Sequence, residues 1–356
     1  MKNNFAYTDI SHKPYVFTAP SIRTAALCTM ALLVPQLIML AVQAEYRVFA
    51  VIAASVAACF GAELTDKLVR RRPRFDAVYP ALTGLLIGML LPETYPAAAA
   101  FILAFCTLLL TRYAFGGIAA LWANPVAITI VIAFLTGSEW FPSFGVTAAE
   151  LQSRNPSLQF VQNGAAADAD IFLTHFLNDT IFRILGTSIP EGYFSFMWDS
   201  GSAIPAFRFT ILTLAASIIL LACGMLSWLV PVCCLSVYAV LVRIFGSFLA
   251  GGAFAQGDIF FAFCTGGTFF CAFFILPWFG TVPQTVWGKI MYGVSAGIAA
   301  FLLAGCGMSP VGMVYAVLAV NLLTPVIMYC EERLLYKKHA QILLPQAEAL
   351  RRVLHD

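Results

Sequence analysis

Two threonine-glycine pairs, Thr83-Gly84 and Thr265-Gly266, each lead into an apolar run that stops at a leucine-proline step, Leu91-Pro92 and Leu276-Pro277. Gly267 extends the second pair, and two asparagines, Asn124 and Asn321, each stand near a proline in NPVAITI and NLLTPVI. These residue types share a chemistry. Proline stops a helix and leaves backbone groups without intrahelical partners. Threonine offers a hydroxyl, and glycine allows close backbone approach. At membrane depth such breaks are tolerated only where protein or a cavity satisfies the freed groups. Helix packing against small residues is the plain reading of any single Gly or Thr; the paired placement in both halves of the chain is what points to a ligand or ion path.

The other reactive side chains are less informative. Ten cysteines lie in or beside apolar runs, and none forms a CxxC pair of the kind that zinc or a cluster favours. They read as small packing residues, the vicinal pair Cys233-Cys234 included. His12, His175, His339 and His355 all fall outside the predicted spans, which argues against a histidine-lined ammonium path. Arg243 and Asp258 sit near span ends, where a structural ion pair or snorkelling accounts for them. An integral membrane transferase would need paired acids or histidines at one membrane face. The acids of the long connection show no such pairing.

The elements that position these residues follow from composition. Of 356 residues, 61% are hydrophobic and 11% charged, against about 25% charged in soluble domains. The fold class is an all-α polytopic membrane protein. A net charge of +2, with no basic stripe interleaved with aromatics, excludes nucleic acid as a partner. No small-residue cleavage site follows the first apolar run, which reads as an uncleaved span. With about 20 apolar residues needed to cross a bilayer, ten spans are predicted, near 25–43, 46–63, 77–92, 96–111, 114–136, 208–228, 230–248, 257–278, 287–306 and 311–330.

Lys67, Arg70, Arg71, Arg72 and Arg74 place the connection after the second span in the cytoplasm. Both termini then fall inside, and the connection from Gly137 to Arg208, with seven acids against three arginines, falls outside. Ile171, Phe172, His175, Phe176, Ile181 and Phe182 recur there at helical spacing and predict a short amphipathic helix. The expected organisation is a cytoplasmic segment (1–24), a five-helix half (25–136), an outer loop (137–207), a second five-helix half (208–330) and a cytoplasmic tail (331–356). An odd number of spans per half, with the motifs echoed, predicts an inverted repeat of five plus five.

At these residues the chain resembles a known family, RnfD/NqrB: the D-type membrane component of the Rnf ion-translocating electron-transfer complex and its relative, the B-type component of the sodium-pumping NADH:quinone reductase. TGLLIGMLLP at 83–92 is similar to the family's Thr-Gly-Leu-Leu stretch closing on Pro. FGGIAALWANP at 115–125 keeps the family's Gly-Gly to Asn-Pro spacing without its intervening polar residues. GGTFFCAFFILPWFGTVPQTVWGKIMYG and VGMVYAVLAVNLLTPVI resemble the later motifs, so the likeness runs in order from about Ser21 to Tyr329. One departure is Ile275-Leu276-Pro277-Trp278, where the family has Ala-Thr-Asp-Pro and hence an acid.

The resemblance implies a non-autonomous subunit of a bacterial inner-membrane oxidoreductase. It would work with other subunits of an Rnf-type complex, moving electrons between ferredoxin and NAD while Na⁺ or H⁺ crosses the bilayer. It also implies a flavin, FMN or riboflavin. The family attaches FMN to a threonine in a sequence resembling Asp-x-x-Ser/Thr-Gly-Ala-Thr. Here PSFGVTAAE offers Thr147 with Phe141 and Phe144 where the Asp and hydroxyl residue belong, and the alanine-rich run at 163–170 has no hydroxyl. The expectation is therefore a flavin held without consensus covalent attachment, between the halves near Thr83, Gly84, Gly266 and Gly267, with Asn124 and Asn321 beside it. The alternative is a stand-alone channel or transporter of urea- or ammonium-channel architecture.

Overall fold

The computed structural model describes residues 20–71, 75–114, 123–142, 171–183, 193–246, 248, 254–255, 257–305 and 309–355. Among them every regular element is helical. Ser21 starts α1 (Ile22–Val42) by accepting a hydrogen bond from Thr24 N at 3.1 Å. A tight turn through Ala44, which has a left-handed backbone, leads into α2 (Tyr46–Arg70). Then come α3 (Val78–Leu90), α4 (Ala97–Tyr113) and α5 (Pro125–Thr136). The long connection carries α6 (Ile171–Leu177), within the segment expected to be helical, and α7 (Tyr193–Trp198); Phe176, placed on the expected apolar face, is exposed.

The second half opens with α8 (Thr210–Ala222) and α9 (Leu229–Gly246). The eighth predicted span is broken into α10 (Ile259–Cys264) and α11 (Thr268–Phe270), which runs on as one wide turn, Cys271–Ile275. After α12 (Val286–Gly305), α13 (Gly312–His355) continues for 44 residues without interruption.

Five of these are long and apolar enough to cross a membrane unaided: α1, α2, α9, α12 and Gly312–Leu334 of α13. α3, α4, α5 and α8 are apolar but shorter. The protein is thus a multi-pass membrane protein. α2 overruns its predicted end at residue 63 because Glu63 and Asp66 are buried in the helical packing rather than exposed in a loop.

Glycine sets how closely these helices meet. A Cβ at Gly84 would stand 2.5 Å from Val56 Cα, and one at Gly88 2.5 Å from Ile52 Cα, so α3 lies directly on the backbone of α2. In the second half Gly293 and Gly297 do the same for α12 on α9: their Cβ positions lie 2.8 Å from Val230 O and 2.6 Å from Cys234 O. Without a hydrophobic force between helices in lipid, such close contact is a main source of association. Gly61 differs, since a Cβ there meets only the Phe105 ring at 3.6 Å, an ordinary contact. Gly84→Ala and Gly88→Ala should each destabilise the purified protein by about 1–3 kcal/mol, the usual cost of overpacking. Gly61→Ala should be neutral or stabilising, because alanine favours helix by about 1 kcal/mol. Denaturant titration in mixed micelles separates the two outcomes.

Candidate functional site

The two halves meet at the end of the broken helix. Gly266 and Gly267 hold left-handed backbone at φ 61° and 66°, conformations that glycine adopts without strain. The freed polar groups around this break are gathered in by threonines: Thr265 donates to Phe261 O at 2.7 Å and Thr268 to Ala262 O at 2.9 Å. The Phe207 ring fills the space a side chain would need at Gly267.

Past the wide turn, the carbonyls of Ile275 and Leu276 face buried polar side chains. Asn124 caps α5, its Oδ1 accepting from Val126 N at 2.9 Å, while its Nδ2 donates to Ile275 O at 2.8 Å across the halves. The Tyr292 hydroxyl lies 3.2 Å from Leu276 O and 2.8 Å from Asn321 Oδ1. Both asparagines are fully buried, and Asn321 Nδ2 has no hydrogen-bond partner. Trp278 Nε1 donates to the Tyr79 hydroxyl at 2.9 Å, a further link from the second half to α3. Where the resemblance led one to look for an acid, the polar work of 275–278 is done by backbone carbonyls and an indole.

Tyr79 leads onward to a buried charged cluster. The Arg112 guanidinium lies 4.1 Å over the Tyr79 ring, 4.9 Å over that of Tyr113, and 3.6 Å from Glu63 Oε2. Tyr113 donates to Glu63, Arg70 donates to Tyr113 O, and Arg70 pairs with Asp66 at 2.8 Å. Glu63, Asp66 and Arg112 are all buried, and the Arg112 nitrogens Nε and Nη1 have no hydrogen-bond partner. An ionisable residue at such depth is a functional candidate by default. Arg243 and Asp258, expected from the sequence to be structural, converge on one turn: Arg243 donates to Gly257 O at 3.1 Å and Asp258 caps α10 through Phe261 N at 3.0 Å. The missed signal was an acid in the apolar run of α2 and a basic residue ending α4.

Thr83 donates within its own helix, to Tyr79 O at 2.8 Å, and is fully buried. Val56 and Ser55 fill the side-chain space at Gly84. Nearby, Leu82, Leu86, Phe273, Phe274, Pro277 and Trp278 help line a recess of about 40 Å³, against about 300–1,000 Å³ for ligand pockets. The residues at Thr83-Gly84 and Gly267 are packed by protein and do not fit a flavin ring. Thr147 and the alanine-rich run at 163–170 lie outside the described residues.

On the opposite end of α3, a polar hub ties three segments together. Arg208 binds Asp199 at 2.8 Å and Glu45 at 3.1 Å, and Gln43 donates to Asp199 at 2.7 Å. Glu93 N, just past Pro92, donates to Ala203 O at 3.2 Å. A hydrogen bond between the Glu93 and Glu45 carboxyls, with burial, raises the Glu93 pKa; the same bond and Arg208 lower that of Glu45. The abrupt Pro92-Glu93 step therefore ends α3 at a hub that joins the α1–α2 turn to the entry of α8. Between the halves themselves, Gln36 of α1 donates to Thr213 of α8 at 2.9 Å, both buried.

The described residues thus form an all-helical multi-pass membrane protein in which buried amides join the early and late parts of the chain around a broken helix, with a buried charged cluster beside it. The chain belongs to the NQR2, RnfD, RnfE family, whose model matches residues 9–337. It is 25% identical over 317 residues to the D component of the ion-translocating oxidoreductase complex of Actinobacillus succinogenes, covering 81% of this chain and 87% of that one. Over 263 residues it is 27% identical to the D component of the proton-translocating ferredoxin:NAD(+) oxidoreductase complex of Clostridium ljungdahlii, covering 69% and 70%.

Two expected outcomes test this geometry. Asn124→Ala strands Ile275 O and Val126 N, each at about 1–3 kcal/mol if left unsatisfied; Asn124→Asp can cap α5 but cannot donate when ionised, so it should rescue little. Equal stability of wild type and both variants in micelles would remove the junction's structural role. For the hub, the raised Glu93 pKa means its contribution is present below the unfolded value and lost as pH rises through the folded one. Melting temperature should therefore fall as pH climbs above the ordinary glutamate value of 4.5, with Arg47 and Arg208 moderating the fall. Glu93→Gln keeps a donor to Glu45 and should flatten that slope.

Proposed function

We propose that this chain is the D-type membrane subunit of a complex that couples electron flow between ferredoxin and NAD to translocation of Na⁺ or H⁺. The observation that carries the reading is the family match over most of the chain. The relatives' names support it, since both describe subunits of ion- or proton-translocating oxidoreductase complexes. The partners are the other subunits of that complex, and the site is a bacterial inner membrane crossed ten times with both termini in the cytoplasm. On this reading the five-plus-five organisation is an inverted repeat, with halves at 25–136 and 208–330 joined by the loop at 137–207.

The chain's own contribution is structural and electrostatic. Asn124, Tyr292 and Asn321 bring buried polar groups to the broken helix, and Arg112 sets a guanidinium beside the Glu63 carboxylate. A flavin, when present, supplies the redox chemistry. With Thr83, Gly84 and Gly267 packed by protein, the reading places a flavin carried by this chain elsewhere, on the outer loop or at a boundary with another subunit.

Affinity purification of the tagged chain from its host membrane in mild detergent tests the reading. The expected result is a multi-subunit preparation containing flavin and iron–sulfur subunits, with ferredoxin-dependent NAD reduction. A solitary chain that passes urea or ammonium in liposomes would overturn it. In-gel fluorescence of the denatured subunit then reads attachment: a dark band is expected, whereas a bright band lost in Thr147→Ala would place the flavin covalently on Thr147.

A further inference from the structure

The uninterrupted length of α13 has a use that membrane crossing does not explain. Its apolar spanning part is Gly312–Leu334, yet the helix continues to His355, some 21 residues or about 30 Å farther at 1.5 Å per residue. The family match stops at residue 337, so nearly all of this extension lies beyond it. Its sequence has a distinct pattern. Tyr336, Ala340, Leu343, Ala347, Leu350 and Leu354 follow one another at alternating spacings of four and three, which the helical phase puts on one stripe. That is the 3.5-residue repeat of a helix that pairs with another helix. Lys338, Pro345 and Arg352 fall on the opposite stripe, so the proline leaves the seam unbroken.

The flanks of the seam select the occupant. One flank carries Lys337, Leu344 and Arg351, and the other His339, Gln346 and Val353. Two copies in parallel would set the basic flank against neutral residues. Two copies in antiparallel would set lysine and arginine against each other. A second copy is therefore the wrong partner. A membrane surface would require the extension to turn aside from the spanning part, and the helix continues past Leu334 without a break in its helical assignment; lipid contact is therefore one of the outcomes the test separates.

We infer that the extension of α13 beyond Leu334 is a docking helix for an amphipathic helix with acidic flanking residues, carried by a water-exposed subunit of the same complex. The inference rests on the complex membership proposed above. Pairing through Lys337 and Arg351 sets orientation and partner choice, while the apolar seam supplies the contact.

The test uses the full complex in its own membranes. A photoreactive phenylalanine analogue is placed at Leu343 or Leu350 on the seam, and at Lys338 or Arg352 opposite. Seam positions should give one adduct with another subunit, mapping to an acid-flanked helix, and the opposite positions about tenfold less. The double variant Lys337→Glu, Arg351→Glu should weaken retention of that subunit about tenfold, equivalent to about 1.4 kcal/mol. A chain ended after Lys337 should lose the subunit while keeping its membrane partners. Adducts with lipid or with a second copy of the chain, or equal labelling from both stripes, would overturn the inference. If the full-length chain co-purifies with no subunit at all, it is the proposed function that fails; if it does co-purify and the shortened chain retains every subunit, only the docking helix fails.

Discussion

Everything at the centre of this protein depends on keeping the carbonyls of Ile275 and Leu276 satisfied. In hydrocarbon an unpaired backbone group costs several kcal/mol, and no water is at hand to relieve it. A helix broken at membrane depth is therefore stable only if other parts of the fold bring donors to it. Here the donors come from the asparagine that starts α5 and the tyrosine of α12. Because Asn124 also caps its own helix, one side chain fixes the start of α5 and binds the second half to the first. Trp278 on Tyr79 and Gln36 on Thr213 add two further polar ties between halves.

Those ties demand accurate spacing, which the glycines provide. With Cβ atoms at Gly84 and Gly88, α3 would move away from α2 and carry Tyr79 off Trp278 and Arg112. Packing and polar satisfaction are thus one problem. The charged cluster is affected in turn, since Arg112 is held between aromatic faces contributed by α3 and α4. A buried guanidinium is costly unless it has a partner, and Glu63 Oε2, 3.6 Å away and itself buried, is the acidic group the fold brings to it.

The asparagines were legible in the sequence because each stands near a proline in an apolar run, Asn124 directly before Pro125 and Asn321 one turn before Pro325, where an amide has a duty to the backbone. Residues 275–278 stand out in the sequence for the acid they lack, although carbonyls and Trp278 hold that place. Thr83 and Gly84 were visible as special positions, but letters alone do not distinguish a glycine that admits a ligand from one that admits a neighbouring helix. Glu63 escapes notice because hydropathy ends the second span on it, whereas the helix runs on to Arg70 with the acid inside. The hub at Arg208 joins residues more than a hundred apart in sequence, and nothing local announces such a meeting.

The contact between α12 and α13 ties the start of one helix to the middle of another. The Glu331 carboxyl occupies the space a side chain would take at Gly288 and accepts a hydrogen bond from Thr285, the residue that caps α12. Glu331 lies near the middle of the 44-residue rod of α13, with the spanning part on one side and the extension on the other. Glu331 thus ties α13 to the capped start of α12, the helix whose Tyr292 reaches Leu276 O, so a single carboxylate links the longest helix, through its neighbour, to the broken segment.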